Sequence, residues 1–126
     1  MFKIENGNIH LSRGDSAIIQ IKNESSSFEI GDEIKFSIMK KNNCEAVLLS
    51  KVYTVRDSSE DNSIFEIFLT PEDSKSFCPP IKTGNLTYWY EIELKSGDVV
   101  NTLIGYDDNG AKELIIYPEA VSENEG

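Results

Sequence analysis

The sequence predicts an all-β fold, a sandwich of two sheets built from about eight or nine short strands. Three observations point to it. Apolar and polar residues alternate in short stretches, turn signals recur roughly every 8–12 residues, and no stretch keeps a helical period for about ten residues. Ile, Val, Phe and Tyr dominate the apolar residues, and such side chains suit a pleated, half-buried surface. The 126 residues correspond to one domain, so we predict a single sandwich over residues 1–121 and an acidic tail over 122–126.

The first predicted strands are separated by short turns. Asn6-Gly7 lies between two alternating stretches and is a strong hairpin signal, because both residues tolerate positive φ. Arg13-Gly14-Asp15 turns the chain into a strand over Ala17–Lys22, so we interpret this triplet as a turn and not as an integrin ligand. After Gly31-Asp32, the stretch Glu33–Lys41 has the cleanest two-residue period in the chain.

The middle of the chain contains one ambiguous strand and one helix start. Two sets of side chains compete for the buried face of Ala46–Val55: Leu48 and Val52 against Val47, Leu49 and Tyr53. After the strand Ile64–Leu69, Thr70-Pro71-Glu72-Asp73 is a helix-start signal, with a capping residue, a proline suited to the first turn and two acids at the positive end of the helix dipole. Cys78-Pro79-Pro80 ends this segment, so we expect one short helical turn near 71–77 that crosses an end of the sandwich.

The strand Leu86–Lys95 is the most aromatic of the chain and carries the candidate contact residues. Alternation places Tyr88, Tyr90, Ile92 and Leu94 on one face and Trp89, Glu91 and Glu93 on the other. Either both faces are covered, or Trp89 is exposed. An exposed tryptophan beside acidic residues would act as a contact anchor, so we select Trp89, Glu91 and Glu93 as candidate partner contacts.

The last part of the chain predicts two further strands, Val99–Gly105 and Lys112–Tyr117, and Ser96-Gly97-Asp98 supplies the first tight turn. Asp107-Asp108-Asn109-Gly110 lies between these strands. It resembles a fragment of a calcium loop, but the acids are adjacent rather than alternating, and Pro118 stands where the bidentate glutamate would fall. We interpret it as a hairpin turn.

The remaining reactive side chains do not form a catalytic or metal-binding motif in the sequence. His10 is the single histidine, lies in a predicted strand and is expected on the surface. Cys44 and Cys78 lack CxxC spacing, and we expect free thiols, with a disulfide as the alternative. No phosphate loop, GxSxG or HExxH is present. We therefore predict no catalytic residues, no metal, no cofactor and no enzymatic activity.

The charge of the chain argues against two classes of partner. The formal net charge is −10, whereas nucleic-acid binding and anionic membranes require a basic surface. The acidity favours solubility and a basic protein partner, with a solvated acidic surface that binds no partner as the alternative. The first residues do not resemble a signal peptide and no apolar run is long enough to span a bilayer, so we expect synthesis in the cytoplasm and reduced thiols.

Several phrases together carry a family resemblance: KIENGNIHLSRGDSAIIQIKN, GDEIKFSIMKK, FEIFLTPEDSKSF, LTYWYEIELKSGDVVNTLI and LIIYPEAV. In this order, from Lys3 to about Val121, the chain resembles small proteins of phage and prophage tail gene clusters of Firmicutes. These look related to the N-terminal immunoglobulin-like domain of upper baseplate proteins. The resemblance implies an Ig-like antiparallel sandwich in the virion, with no catalytic residues.

From this resemblance we expect a non-enzymatic virion structural protein, a tail or baseplate adaptor or accessory subunit, made in the bacterial host cytoplasm. Its partners would be other virion or tail proteins, with self-association as a further option. The alternatives are a capsid or particle decoration protein and a carbohydrate-binding sandwich module. The last would need two or three coplanar exposed aromatic rings, and the candidates are Trp89, Tyr53, Tyr106 and Tyr117.

Overall fold

The structure, a computed structural model, describes residues 1–22, 28–40, 46–56, 64–105 and 111–119. These ranges contain nine strands and one short helix. In chain order they are β1 (Phe2–Glu5), β2 (Asn8–Ser12), β3 (Ala17–Lys22), β4 (Glu33–Met39), β5 (Val47–Thr54), β6 (Ile64–Leu69), α1 (Pro71–Phe77), β7 (Leu86–Ser96), β8 (Val99–Ile104) and β9 (Lys112–Tyr117).

The strands form two sheets that share one apolar core. The large sheet has the order β1-β2-β9-β7-β4-β5, with β8 beside β7, and the small sheet pairs β3 with β6. The core draws on the inner faces of both sheets and includes Ile9, Ile19, Phe36, Ile67, Ile92 and Leu114. The predicted all-β sandwich is therefore confirmed.

Alternation decides which side chains reach this core. In β3, Ala17, Ile19 and Ile21 are buried, whereas the residues between them face solvent. In β7, Tyr88, Tyr90, Ile92 and Leu94 are buried, and the residues between them are half-buried. The faces predicted for these two strands are confirmed, because the two-residue period of a strand sends neighbouring side chains to opposite sides.

The β1–β2 hairpin has the predicted turn. Asn6 has a φ of 55° and Gly7 a φ of 82°. Positive φ at both central residues is the requirement of a type I′ turn, whose twist matches that of the flanking strands. Gly97 and Asp98 likewise close the β7–β8 hairpin as predicted.

One strand pair departs from the predicted antiparallel arrangement. β2 pairs with β9 in parallel, with Ile9 opposite Leu114 and Leu11 opposite Ile116. Parallel neighbours need a long crossover connection, and here almost the whole domain supplies it. Alternation is the same in parallel and antiparallel strands, so the sequence pattern could not reveal this pairing.

The ambiguous strand is explained by a β-bulge. Ile38 lies opposite Leu49, but Met39 lies opposite Val47, so Leu48 is an extra residue on β5. The extra residue reverses the alternation at that point. Leu49 and Tyr53 are half-buried with Tyr53 facing the core, whereas Val47 and Val52 are exposed.

The predicted helix is confirmed over Pro71–Phe77 and connects the small sheet to the large one. The Asp73 carboxylate accepts a hydrogen bond from the Thr70 backbone N–H at 2.7 Å, which satisfies one free donor of the first turn. The same carboxylate accepts from the Lys51 ammonium at 2.7 Å. At the other end, the rings of Phe77 and Tyr88 meet edge to face, with centroids 5.0 Å apart.

The Arg13-Gly14-Asp15 turn ties the same end of the sandwich together. Arg13 donates from Nε to the Cys78 carbonyl at 2.7 Å and from its guanidinium to Glu119. The Gly14 N–H donates to the buried Ser74 hydroxyl at 2.7 Å, and its φ of 86° lies in the left-handed region that favours glycine. The triplet is therefore a structural turn, as predicted, with Arg13 engaged internally.

Candidate functional site

The three predicted contact residues lie in one column on the solvent side of β7. Trp89 is opposite Met39 of β4 and Glu113 of β9. One step along, Glu91 is opposite Ser37, and Glu93 is opposite Lys35. Because β7 is an inner strand of the large sheet, this column is held by backbone hydrogen bonds on both sides.

Trp89 is half-buried, which lies between the fully covered and the exposed tryptophan considered from the sequence. Its partner Met39 is only 4% exposed although it faces away from the main core cluster. Side chains directly opposite in neighbouring strands approach to about 5 Å between Cβ atoms, so Trp89 and Met39 are neighbours on this side of the sheet. A half-buried tryptophan on an inner strand has the form of a contact anchor.

The two glutamates beside Trp89 form a hydrogen-bonded acidic pair. Burial raises the pKa of Glu91, the hydrogen bond to Glu93 and its negative charge raise it further, and Lys35 acts in the opposite direction. The pair therefore resists carrying two full negative charges. A cationic group from a partner would favour the ionised state and relieve the repulsion.

Two different strands pair with β7 before and after Glu91. Tyr90 is opposite Lys112 of β9, and Ile92 is opposite Ile104 of β8, so Glu91 lies at the junction between the two strands that pair with this side of β7. The two short strands together form one interrupted return strand along β7. Alternation in the sequence does not indicate this junction.

Apolar side chains at the edge of the sheet complete the surface. Val52 of β5 is opposite Lys35 and is 56% exposed, and Val47 is opposite Met39 and is 57% exposed. We name this surface the Trp89 face and define it by Trp89, Glu91, Glu93, Lys35 and Val52. The sequence predicted its central column but not the apolar rim, because the bulge in β5 hid the outward positions of the two valines.

His10 lies on the same side of the large sheet but is not a free surface histidine. It faces away from the core, as predicted, yet its side chain is only 15% exposed. Its Nδ1 and the Tyr117 hydroxyl are 2.8 Å apart, and the two rings stack with centroids 5.8 Å apart. The parallel pairing of β2 with β9 brings these residues together from opposite ends of the chain.

The cysteines and the acidic turn add no further site within the described ranges. Cys78 is a buried free thiol whose pKa is raised by burial. Cys44 and the Asp107–Gly110 turn lie outside the described residues. Among the residues that the structure describes, no group of three or more His, Cys, Asp or Glu side chains is placed to hold a metal ion. In the same ranges, the structure contains no helix of the length and apolarity needed to cross a bilayer.

The aromatic residues considered for carbohydrate binding do not share one face. Tyr53 faces inward, where its hydroxyl donates to the Phe68 carbonyl at 2.9 Å and its ring meets Phe65. Trp89 lies on the opposite side of the sheet, and Tyr106 is outside the described residues. Of the candidates that the structure describes, only Tyr117 shares the side of Trp89, and its ring stacks on His10.

A second surface feature, not predicted from the sequence, is an open groove at the other side of the sandwich. It lies between β1 and β3 and is lined by Phe2, Ile4, Ile18, Gln20 and Glu66. Ile4 and Ile18 are about half exposed there. In the sequence, Ile18 is an apolar residue at an outward position of its strand, whereas Ile4 lies opposite the buried Ile9 on the core side and gave no such signal.

Comparison of the chain with protein-family models, with curated proteins and with solved structures gives no match.

Proposed function

We propose that this chain is a non-enzymatic structural protein of a phage or phage-like tail, an adaptor or accessory subunit that works through protein–protein contacts. The observation that carries the proposal is the Trp89 face, where a half-buried tryptophan and an acidic pair stand on an inner strand of a two-sheet sandwich. Tryptophan is enriched among residues that dominate binding energy, especially where a rigid strand fixes it.

The electrostatics favour a basic partner. The net charge of −10 attracts a positively charged surface over distance and accelerates encounter. At the Trp89 face itself, the pKa of Glu91 is raised, and its carboxylate can accept a charge-assisted hydrogen bond from an arginine or lysine of a partner.

The assignment to a tail rests on the sequence resemblance to phage tail-cluster proteins. The strand order lends support to the Ig-like part of the proposal: β9, β7 and β4 are neighbours in one sheet, and β3 pairs with β6 in the other. The same neighbour relations join strands G, F and C, and strands B and E, of an immunoglobulin-type sandwich. In this proposal the protein is made in the host cytoplasm and ends in the virion.

The test is incorporation of variant chains into tail particles. We expect Trp89→Ala to reduce the amount of the chain that co-sediments with purified particles at least about tenfold, equivalent to about 1.4 kcal/mol of contact energy. Thr87→Ala, on the same strand and the same outward side, is the matched control and should incorporate like the wild type. Circular dichroism and urea midpoints must show that both variants fold.

If Trp89→Ala fails to fold, Glu91→Gln and Glu93→Lys replace it in the same experiment. The first removes a negative charge from the face and the second reverses one, so both should weaken binding of a basic partner. Normal incorporation of all folded variants would contradict the role of this face. Labelling of the chain on capsids rather than tails would favour a decoration protein instead. Saturable binding on a glycan array that is lost in Trp89→Ala would favour the carbohydrate-binding alternative.

A further inference from the structure

Within the described part of the chain, β5 is an edge strand with a row of unpaired backbone groups, and we call this its free edge. The Val55 N–H donates to the Asp32 carbonyl, and the Val55 carbonyl accepts from Gly31, each at 2.8 Å, so both groups of Val55 point towards β4. Strand backbone groups alternate in direction. It follows that Ser50, Val52 and Thr54 direct their N–H and C=O groups away from the sheet, where they meet no described residue.

This edge lacks the usual features that prevent strand pairing. β5 has eight residues without proline or glycine, and Lys51 is its only charged residue. The Lys51 ammonium is turned inward to Asp73, at 2.7 Å, and is therefore not a charge on the edge. Natural proteins commonly protect edges with outward lysines, prolines or short strands. By comparison, β1 at the other end of the large sheet has only four residues.

At the neighbouring edge of the small sheet, one backbone carbonyl is covered, in contrast to the outward groups of β5. The Phe68 carbonyl of β6 accepts a hydrogen bond from the Tyr53 hydroxyl at 2.9 Å and a longer one from Lys51 at 3.4 Å. The inward side chains of β5 thus cover a carbonyl of β6, whereas the outward backbone groups of β5 have no hydrogen-bond partner among the described residues.

We propose that the free edge of β5 pairs with β5 of a second copy of this chain, antiparallel and around a two-fold axis at Val52. The register then places Val52 opposite Val52, Ser50 opposite Thr54 and Lys51 opposite Tyr53. A two-fold interface requires a surface that is complementary to itself, and each of these pairs is compatible. The three outward residues of each strand together form six backbone hydrogen bonds.

Charge also permits a second copy at this place. β5 contains no carboxylate, so the net charge of −10 is carried elsewhere on the chain. In the proposed register no two like charges lie directly opposite within β5. Val52, which is 56% exposed, meets its own equivalent and both become covered.

The pairing has a structural consequence for the two copies. Residues opposite each other in neighbouring strands lie on the same side of a sheet. The two Trp89 faces would therefore lie on one side of a single continuous sheet, with the two β5 strands at its centre. This inference concerns the isolated chain and holds whether or not the protein belongs to a virion.

Sedimentation over a concentration series tests the proposal. A contact limited to one strand edge is small, so we expect a weak monomer–dimer equilibrium in the wild-type chain. Val52→Lys places two like charges opposite each other and should raise the dimer dissociation constant at least about tenfold. Val99→Lys, at an equally exposed valine on β8, is the matched control and should leave the constant unchanged.

Three outcomes would overturn the proposal: a monomer at every soluble concentration, a dimer that Val52→Lys leaves unchanged, or equal weakening by both lysine variants. Because these measurements need no partner or particle, their failure is separate from failure of the proposed function.

A cysteine substitution tests the register. Directly opposite residues in a hydrogen-bonded antiparallel pair have Cα atoms about 5.5 Å apart, which is within the range of a disulfide. In a Cys44→Ser background, Val52→Cys should form a covalent dimer on mild oxidation, whereas Ser50→Cys, placed opposite Thr54, should not. Equal cross-linking of both variants would contradict the two-fold at Val52.

Discussion

Two adjacent isoleucines in β3 allow the alternation argument to be tested within one strand. Ile19 is 1% exposed and belongs to the core, whereas Ile18 is 51% exposed on the outer side of the small sheet. Each change to alanine loses the same strand preference and the same atoms. Any difference between the two variants therefore measures burial.

The expected costs follow from that burial. Ile19→Ala removes a fully buried side chain and leaves a cavity, which we expect to cost about 3 kcal/mol. Ile18→Ala loses partial burial and some strand preference, which we expect to cost about 1 kcal/mol. With a urea dependence of about 2 kcal/mol per molar, the two midpoints should differ by about 1 M.

Equilibrium urea unfolding, followed by tryptophan fluorescence, measures both variants beside the wild type. Equal m-values would show that the midpoints report stability rather than a change in the unfolded state. A difference below about 0.5 kcal/mol between the two alanine variants, the usual range for surface substitutions, would refute the two-face reasoning for β3.

Three further changes test other parts of the structure. Arg13→Ala should cost about 2 kcal/mol in urea unfolding, because the guanidinium donates charge-assisted hydrogen bonds to Cys78 and Glu119, and Arg13→Lys should recover only part of the loss. Burial and Glu93 raise the pKa of Glu91, so the folded chain holds that proton more tightly and loses stability as the pH rises above the usual carboxyl value. Glu91→Gln should therefore be slightly more stable than the wild type at neutral pH and equal to it in acid, and the opposite order would contradict the assignment. Burial raises the pKa of Tyr90 from 10.0 to about 12, so alkaline unfolding should begin within this range. Tyr90→Phe loses the hydrogen bond to the Gly7 carbonyl, so this variant should cost about 1 kcal/mol at neutral pH and show a weaker alkaline transition.

The sequence predicted those features of the fold that depend on neighbouring residues. Alternation identified the inward side chains of β3 and β7, Asn6-Gly7 marked a hairpin, and Pro71 with its flanking acids marked α1. Each of these follows from local geometry: the two-residue period of a strand, the tolerance of positive φ, and the free donors of a helix start.

Other features depend on residues far apart in the chain and were not visible in the pattern. The parallel pairing of β2 with β9 places Tyr117 beside His10 and turns an expected surface histidine into a half-buried, hydrogen-bonded one. The bulge at Leu48 reverses the alternation of β5, and only the register against β4 shows which valines face outward.

The candidate site was predictable in its central column and not in its surroundings. Trp89, Glu91 and Glu93 share a side because they alternate along one strand. The burial of Met39 opposite Trp89 and the change of partner strand at Glu91 depend on strand register instead. Register arises from tertiary packing, which a single alternating stretch does not determine.

The central claim is that two sheets stack so that β5 of one meets β6 of the other. Nuclear Overhauser spectroscopy on the assigned chain tests it most directly at the rings of Tyr53 and Phe65, whose centroids lie 6.2 Å apart in an edge-to-face contact. The structure predicts strong cross-peaks between these two rings, together with backbone cross-peaks between His10 and Ile115. The absence of ring cross-peaks in a folded, fully assigned spectrum would contradict the sandwich.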